Sequence, residues 1–452
     1  MNNSSNKTWK TACVITISGL LLMVTLVVGP QMSNSNNNSI LSPSIGYHNG
    51  LAITPQMGWN PWNVFGCDNI NETLIVDIGQ AMIDTGLNNV GYEYINLDDC
   101  WQSQERNTTG YIIEDTDKFP SGMAQLRNYL HDQLGLKFGL YSDSGNMTCQ
   151  RRMGSFGYEK QDAALYAEWK IDYLKYDNCY TKGTDTNVRI RYQRMHEALN
   201  ETGYPILFSM CEWGIDHPAT WAGPIANSWR TTGDIRPNWS SMTSNLDENN
   251  KWYKYAHPGG WNDPDILEVG NTNSDSTLTI AEQRSHFTLW CLMKAPLLLG
   301  NDLRSIPKKI IDIISNQEII AVNQDSLGIQ GYKRWSSSSN SDNNDELVEV
   351  WAGDLAGGDV AVVLFNRSGK NQTITAKFND VITSGVYTTD NNIDSSSIDE
   401  SNRSTFHSFS AHVRDLWAHS GLGIHWDEVS AIVPSHDCVA LRLSNITMIT
   451  TS

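Results

Sequence analysis

The sequence predicts an α/β fold, a (β/α)₈ TIM barrel followed by a C-terminal antiparallel β-sandwich. Between residue 53 and about residue 315, short strand-like runs alternate with amphipathic, helix-like stretches. That alternation is the element order of a parallel barrel. After Gln330 the chain changes to alternating apolar and polar residues separated by Gly, Asn and Ser. This second pattern indicates antiparallel strands.

The composition is typical of a globular protein that can bury one large core or two smaller ones. The chain has 452 residues, of which 40% are hydrophobic and 18% are charged. Its formal net charge is −18. Nucleic acids and anionic membranes would repel such a surface, so we expect no nucleic-acid partner. The sequence leaves a homo-oligomer open.

The first fifty residues differ from the rest of the chain. Lys7 and Lys10 precede an apolar run from Ala12 to Gly29. This pattern predicts a signal peptide at residues 1–29, with an uncleaved membrane anchor as the alternative because of the length of the run. Residues 30–50 are rich in Asn and Ser and are predicted to be disordered. After signal cleavage we expect a secreted, extracellular protein without stable membrane association.

Two further features fit secretion. Asn-X-Ser/Thr acceptors for glycosylation occur at Asn71, Asn107, Asn146, Asn200, Asn238, Asn366, Asn371, Asn402 and Asn445. The chain has 8 cysteines, and Cys13 lies in the apolar leader. An odd number remains, so at least one cysteine should be unpaired. Their spacing does not resemble that of a zinc site.

The predicted barrel covers residues 51–328. Its strands are predicted at Thr54–Trp62, Tyr92–Trp101, Lys137–Asp143, Tyr173–Cys179, Ile206–Trp213, Ser228–Asp234, Gly259–Leu267 and Pro296–Leu303. Helices are predicted at 72–88, 121–134, 158–170, 187–200, 216–226, 239–254, 280–293 and 305–315. An open doubly wound sheet is the alternative, but it predicts a Gly-rich phosphate loop after the first strand, and none occurs there.

Residues 329–447 are predicted to form the β-sandwich. The polar run Ser336–Asp345 is predicted to be a loop or hairpin tip. Strands are predicted at Glu346–Trp351, Asp359–Phe365, Gln372–Lys377 and Cys438–Leu443. This part of the sequence contains no obvious group of catalytic or binding residues, which favours a structural role.

Polar residues and tryptophans stand at the predicted C-terminal ends of the barrel strands. These ends read Trp59-Asn60-Pro61-Trp62, Asp98-Asp99-Cys100-Trp101, Tyr141-Ser142-Asp143, Lys175-Tyr176-Asp177, Cys211-Glu212-Trp213, Arg230-Thr231-Thr232-Gly233-Asp234 and Trp261-Asn262-Asp263-Pro264-Asp265. In a barrel these ends meet at one mouth, which predicts a ligand site there. For Asp143 and Asp263 alone, a helix-capping role is favoured.

The residue types at the mouth favour a sugar as the ligand. Carboxylates and basic side chains can bind several hydroxyl groups, and tryptophan can cover the apolar face of a sugar ring. The adjacent Asp98 and Asp99 could both reach one ligand where the chain turns at a strand end. Metals could use the same acids, but no histidine joins them and Lys175 would repel a cation. We therefore predict no metal and no cofactor.

Glycoside cleavage needs two carboxyl groups on opposite sides of the anomeric carbon. The candidates are Asp177 and Asp234, at the ends of the fourth and sixth strands. Lys175 lies on the same face as Asp177 and would keep this nucleophile ionised. Asp234 would donate the proton, with its pKa raised by partial burial. We expect Arg230 to bind a substrate hydroxyl rather than contact Asp234.

These motifs resemble those of the α-galactosidases (melibiases) of glycoside hydrolase family 27, of eukaryotic and fungal type. The matching segments follow the family's order across residues 50–335 and are Met57–Asn60, Asn96–Trp101, Gly139–Asp143, Leu174–Cys179, Ser209–Gly214, Arg230–Ile235, Gly260–Asp265, Pro296–Asp302 and Asn323–Asp325. The resemblance implies a secreted, retaining exo-α-galactosidase. Its substrates would be oligosaccharides such as melibiose and raffinose, galactomannan or glycolipids.

The resemblance also implies a role for each site residue. Asp177 would be the nucleophile and Asp234 the acid/base. The galactose pocket would be formed by Trp59, Asp98, Asp99, Tyr141, Lys175, Cys211, Glu212, Trp213 and Arg230. Disulfides would join Cys149 to Cys179 beside the site, and Cys67 to Cys100.

Other readings of the site remain open. Relatives that accept N-acetylgalactosamine have small residues where this chain has Cys211-Glu212-Trp213-Gly214, which favours galactose. A β-L-arabinopyranoside matches galactose at most stereocentres and is a further alternative. A lectin-like protein on an inactive barrel is the alternative from another class. The presence of both Asp177 and Asp234 favours the enzyme.

Overall fold

The eight predicted parallel strands form the wall of a barrel in the computed structural model of the chain. The structure describes residues 49–271, 277–337, 347–383, 388–389 and 408–449. The predicted signal peptide, nearly all of the predicted disordered segment and most of the predicted polar loop Ser336–Asp345 lie outside these residues. Among the residues described, the structure contains no helix with the length and apolar character needed to cross a membrane.

The barrel strands pair in the order β7-β6-β5-β4-β3-β2-β1-β8. They are β1 (Met57–Trp59), β2 (Tyr94–Asn96), β3 (Lys137–Asp143), β4 (Tyr173–Asp177), β5 (Leu207–Met210), β6 (Ser228–Arg230), β7 (Trp261–Asp263) and β8 (Leu297–Leu299). The ring closes beyond the end of β7, where Leu267 forms a parallel bridge with Leu299 and donates its N–H to Leu298 O at 2.8 Å. The predicted barrel is confirmed.

Most strands are shorter than predicted, because the chain leaves the sheet where the polar residues begin. Strand β2 ends at Asn96, and Cys100 then adopts a positive φ of 76°. Such a conformation is uncommon for a residue with a side chain and ends regular pairing. Asp98 and Asp99 therefore lie on a turn at the mouth rather than within the wall.

Helices follow most of the strands. They are α1 (Trp62–Phe65), α2 (Glu72–Asp84), α3 (Met123–Leu134), α4 (Glu159–Glu168), α5 (Val188–Glu201), α6 (Trp239–Asn250), α7 (Ile280–Leu292), α8 (Lys308–Ile314) and α9 (Gln317–Asn323). The helix predicted at 216–226 is wrong, because this segment holds only a 3₁₀ turn at Pro218–Thr220. Two prolines, Pro218 and Pro224, remove helix hydrogen bonds there.

The C-terminal domain is antiparallel, as predicted. Its elements are β9 (Tyr332–Ser336), β10 (Val348–Asp354), β11 (Val360–Asn366), β12 (Gln372–Lys377), α10 (Phe378–Val381), β13 (Thr388–Thr389), β14 (Ser408–Asp415), β15 (Ser420–Trp426), β16 (Glu428–Val433) and β17 (Cys438–Ile449). The larger sheet has the order β15-β14-β17-β11-β10-β9, and β12 pairs with β16 in a second sheet. The short strand β13 also belongs to the larger sheet and is the exception to its antiparallel pairing, because it pairs in parallel with β17. The sequence did not predict β9, β13, β14, β15 or β16. In β15, Gly421 and Gly423 are typical of turns.

The C-terminal domain packs against helix α6 of the barrel. Trp239, the first residue of α6, stacks on His436 with ring centroids 4.4 Å apart. Asp247 on the same helix forms an ion pair with Arg367 at 2.7 Å. Helix α6 follows the loop that carries Asp234, so the domain supports one side of the barrel mouth.

Candidate active site

A cavity of about 230 Å³ opens at the C-terminal ends of the barrel strands. Its lining residues are Trp62, Asn63, Asp98, Asp99, Tyr141, Cys149, Gln150, Lys175, Asp177, Cys179, Cys211, Trp213, Arg230, Asp234, Asp265 and Ile266. The volume is below the roughly 300–1,000 Å³ of sites for drug-sized ligands. It suits one sugar ring with several hydroxyl groups.

Asp177 ends strand β4 at the base of this cavity, where its carboxylate is held by two donors. The hydroxyl of Tyr141 donates to Oδ2 at 3.0 Å, and the N–H of Asn178 donates to Oδ1 at 3.0 Å. Burial raises the pKa of Asp177, and the positive charge of Lys175 lowers it in part. The carboxylate is therefore fixed in one orientation and weakly solvated, which suits attack on a carbon atom.

The direct partner of Lys175 is Asp98 rather than Asp177. Lys175 Nζ donates to Asp98 Oδ2 at 2.7 Å, and Asn60 Nδ2 donates to the same oxygen at 2.8 Å. Burial alone would lower the pKa of Lys175, but the nearby Asp98 and Asp177 contribute to raising it well above its usual value. Lys175 thus acts on Asp177 through the electric field of its positive charge rather than through a hydrogen bond. The expectation that it keeps Asp177 ionised is only partly met, because burial still raises the pKa of Asp177.

Asp99 connects the end of β2 to the loop after β3. Its Oδ2 accepts the N–H of Gln150 at 2.8 Å, and its Oδ1 accepts the N–H of Cys100 at 2.7 Å. Burial raises the pKa of Asp99 to about 6. A carboxyl group in this position can accept or donate a hydrogen bond to a sugar hydroxyl near neutral pH.

Asp234 differs from the sequence-based expectation in two respects. Its side chain is 59% exposed, and Arg230 Nη2 lies 3.2 Å from its Oδ1. The expectations of partial burial and of no contact with Arg230 are therefore wrong. Asp234 lies on a loop beyond β6, outside the wall, and Arg230 at the end of that strand points along the loop. An exposed carboxyl at the rim is well placed to meet a leaving group.

Trp59 and Glu212, both implied as binding residues, do not line the cavity. The indole N–H of Trp59 donates to Asn301 O at 2.7 Å beneath the mouth. Glu212 is fully buried, and its Oε2 accepts the N–H of Asp216 at 2.8 Å. In the motif of the first strand, Trp62, the first residue of helix α1, lines the cavity instead.

Besides Cys149 and Cys179, which were predicted only as a disulfide, five lining residues were not predicted: Trp62, Asn63, Gln150, Asp265 and Ile266. All of these five except Gln150 lie within or next to the strand-end segments. Trp62 and Asp265 belong to the strand-end motifs quoted above, so their position and residue type could have predicted them as lining residues. Gln150 belongs to a loop whose approach to Asp99 depends on tertiary structure.

Two disulfides join loops beside the cavity. One links Cys149, after β3, to Cys179, after β4, and the other links Cys67 to Cys100. Asp143 accepts the N–H of Gly145 at 2.7 Å and that of Cys179 at 3.0 Å. Its expected capping role is wrong, because Asp143 joins the two loops instead.

The same region contains a group of potential metal ligands. The ligand atoms of Asp143, Cys149, Asp177 and Cys179 lie within 4.8 Å of one another. Because the two sulfur atoms are joined in a disulfide, they are not the thiolates that metals bind. The described cysteines Cys211, Cys291 and Cys438 remain as buried thiols, which fits the expected unpaired cysteine.

Replacing Glu212 by glutamine tests whether this residue binds substrate. Burial raises the pKa of Glu212 to about 7, so the folded state disfavours the ionised form. This penalty is absent below the ordinary pKa of the group and is fully present above about pH 7. The unfolding free energy of E212Q minus that of the wild type should therefore be larger at about pH 8 than at about pH 4, by roughly 2–3 kcal/mol.

Because Glu212 lies outside the cavity, we also expect KM to stay within about threefold of the wild-type value. Denaturant unfolding at both pH values and steady-state kinetics measure the two effects. Glu201, exposed and paired with Lys160, provides the control E201Q, whose stability should change little at either pH. A tenfold rise in the KM of E212Q would instead make Glu212 a binding residue.

Two family models match the two parts of this chain. The model described as "Alpha galactosidase A" matches residues 54–325, and the model described as "Alpha galactosidase C-terminal beta sandwich domain" matches residues 345–443. The matches fall on the barrel and on the antiparallel domain respectively.

Named proteins and solved structures give the same result. "Alpha-galactosidase 2" of Arabidopsis thaliana is 48% identical over 398 residues, which cover 88% of this chain and 91% of that protein. The structure of α-galactosidase I from Mortierella vinacea has a TM-score of 0.78 and 38% identity over 88% of this chain and 98% of its own. A Saccharomyces cerevisiae α-galactosidase with raffinose has a TM-score of 0.77 and 30% identity over 89% and 99%.

The comparisons bear on the expected source of the chain. Several of the most similar named relatives are plant α-galactosidases. The expectation of a fungal type is therefore not supported. The expectation of a eukaryotic type agrees with these relatives, whose similarity extends over most of the chain.

Proposed function

Since the chain belongs to the α-galactosidase family of glycoside hydrolases and is an exo-α-galactosidase, we propose that Asp177 and Asp234 cleave the terminal α-galactosidic bond by double displacement. The observation that carries this proposal is that both carboxyl groups line one cavity of about 230 Å³. The buried Asp177 is at its base and the exposed Asp234 at its rim. This arrangement supports a nucleophile inside the pocket and a proton donor on the side of the leaving group.

In the first step, Asp177 attacks C1 of the galactose unit, and the C1–O bond to the leaving group breaks. Asp234 gives its proton to the departing oxygen. In the second step, Asp234 takes a proton from water, which attacks C1 and releases Asp177. Two inversions at C1 give α-galactose, so the configuration is retained.

The remaining lining residues would bind galactose and fix its orientation. Lys175 and Asp98 form a buried ion pair that can donate to and accept from neighbouring hydroxyl groups. Asp99 offers a further carboxyl group, and the Tyr141 hydroxyl holds Asp177. The enclosed base favours a terminal sugar unit, while the open rim beside Asp234 leaves space for the rest of the substrate.

We propose oligosaccharides of the raffinose and melibiose type, galactomannan or glycolipids as the source of the terminal galactose. The Saccharomyces cerevisiae relative, described with raffinose, supports the first of these classes. We also propose that the protein is secreted. The leader at residues 1–29, the glycosylation motifs and the two disulfides support this proposal.

Three nitrophenyl glycosides test the sugar specificity of the site. We expect rapid hydrolysis of the α-galactoside and much slower hydrolysis of the α-N-acetylgalactosaminide and the β-L-arabinopyranoside. Trp213 and Cys211 line the cavity, and the large indole of Trp213 leaves little room for an acetamido group. Nitrophenol release measures the rates, and proton NMR of the first-formed galactose measures its anomeric configuration.

Each of the other results would contradict part of the proposal. Faster hydrolysis of either analogue would change the sugar. Binding of galactose without release of nitrophenol from any of the three would favour a lectin. First-formed β-galactose would mean inversion, for which the two carboxyl groups stand roughly 6.5–9.5 Å apart.

A further inference from the structure

Asp265 lines the cavity but has no role in the proposed double displacement. It lies beyond the end of β7, with a side chain only 7% exposed. Its backbone has a φ of 87°, a left-handed conformation that is uncommon for a residue other than glycine. Such strained residues occur mainly at functional sites, where surrounding contacts hold them in place.

The contacts that hold the backbone of Asp265 are themselves buried. The indole N–H of Trp290 donates to Asp265 O at 2.9 Å, and the N–H of Asp265 donates to Asp263 Oδ1 at 2.8 Å. These contacts determine where the side chain of Asp265 points. Asp263 is thus not a helix cap, contrary to the expectation from the sequence, and supports the turn at Asp265.

Both oxygens of Asp265 are directed towards the segment that carries Asp234. Oδ1 forms an ion pair with Arg230 Nη1 at 2.9 Å, and Arg230 Nη2 lies 3.2 Å from Asp234 Oδ1. Oδ2 accepts the N–H of Ile235 at 2.8 Å, and Ile235 is the residue that follows Asp234. The carboxylate of Asp265 therefore binds both the side-chain partner of Asp234, which is Arg230, and the backbone N–H of the next residue, Ile235.

The segment needs this support because little else fixes Asp234. Gly233 precedes it and is exposed, and the side chain of Asp234 is itself 59% exposed. On the other side, Asn245 of helix α6 donates to Gly233 O at 3.1 Å and to Pro264 O at 3.0 Å. Asn245 joins the loop of Asp234 to the turn before Asp265, so the two segments form one unit.

We propose that Asp265 is the positioning residue for the acid/base Asp234, acting through Arg230 and the N–H of Ile235. The inference rests on the proposed role of Asp234 as the proton donor. Asp265 does not touch the reacting atoms in this arrangement. Its loss should impair proton transfer to the leaving group while leaving attack by Asp177 intact.

Leaving-group dependence separates this role from a general loss of structure. Cleavage of melibiose requires a proton on the departing oxygen, whereas 2,4-dinitrophenolate leaves without one. For D265N we expect kcat/KM to fall about 10²-fold on melibiose and less than about threefold on 2,4-dinitrophenyl α-galactoside. The variant D265G relieves the positive φ, and it should show the same selectivity even if D265N folds poorly.

A matched control exists in the other domain. Asp437 is also buried, forms an ion pair with Arg284 and accepts a backbone N–H, that of Cys438, at 2.8 Å. D437N should lose stability without changing the ratio of the two activities. Equal losses on both substrates, or no loss on melibiose, in D265N and D265G would overturn the inference.

The variant D234N keeps this test separate from the proposed mechanism. If Asp234 is the acid/base, D234N should itself lose melibiose hydrolysis selectively. A D234N variant without leaving-group dependence would refute the acid/base assignment. Selectivity in D234N but not in the Asp265 variants would refute only the positioning role of Asp265.

Discussion

Replacing Asp177 by asparagine should lower kcat by at least about 10⁴-fold, because removal of a catalytic nucleophile eliminates the covalent step. The amide has the shape of the carboxyl group: its oxygen can accept the N–H of Asn178, and its NH₂ group can donate to the hydroxyl oxygen of Tyr141. The variant should therefore fold and bind galactose. Hydrolysis of p-nitrophenyl α-galactoside, thermal unfolding and galactose binding measure the three properties.

A control for D177N lies at the opposite end of the same strand. Asp172 precedes β4, and its Oδ2 lies 2.7 Å from Nε2 of His131, away from the cavity. D172N should keep its activity within about threefold, since the group does not touch the site. A D177N protein that is folded and keeps more than a few per cent of the wild-type kcat would disprove the nucleophile assignment.

Replacing Lys175 by methionine should have the next largest effect. The Lys175 side chain is 16% exposed and that of its partner Asp98 is 3% exposed. Removing one partner of a buried ion pair typically costs about 3–5 kcal/mol of stability. The loss of a charged donor at the sugar should lower kcat/KM by about 10²–10³-fold. Denaturant unfolding and steady-state kinetics measure the two effects.

The pH dependence of K175M has a definite sign. The positive charge of Lys175 lowers the pKa of Asp177, so removing the charge raises it further. The acid limb of the kcat/KM profile should therefore move to higher pH. Lys137, which pairs with Glu93 on the surface, supplies the control K137M, expected to be nearly neutral. An unchanged acid limb in K175M would contradict an electrostatic action of Lys175 on Asp177.

The two proposed catalytic acids differ in how far the sequence predicted their surroundings. Asp177 ends a regular strand, and the two-residue spacing correctly placed Lys175 on the same side, where both line the cavity. Asp234 follows Gly233 on a loop, where residue spacing no longer determines the direction in which a side chain points. Its partner Arg230 is also paired with Asp265, which lies beyond the end of a different strand, β7. No local sequence pattern predicts this contact between segments from two strand ends.

Tryptophan shows the same limit. The motif Trp59-Asn60-Pro61-Trp62 has two indoles near one strand end, and the family resemblance implies Trp59 as the pocket residue. The structure places Trp59 beneath the mouth and Trp62 in the cavity wall. The turn after β1 decides which side each ring takes, and the N–H of Asn60 at the start of that turn donates to Leu299 O of β8 at 2.9 Å.

The sequence by itself determined the barrel, the antiparallel domain and the convergence of acids on one mouth. Periodicity and strand-end composition are local properties, and parallel strands bring their C-terminal ends together whatever the details of the loops. Only the tertiary structure decided that Lys175 pairs with Asp98, that Asp234 is exposed, and that Asp265 holds its loop. These facts arise from contacts between segments far apart in the chain, where burial and charge act together.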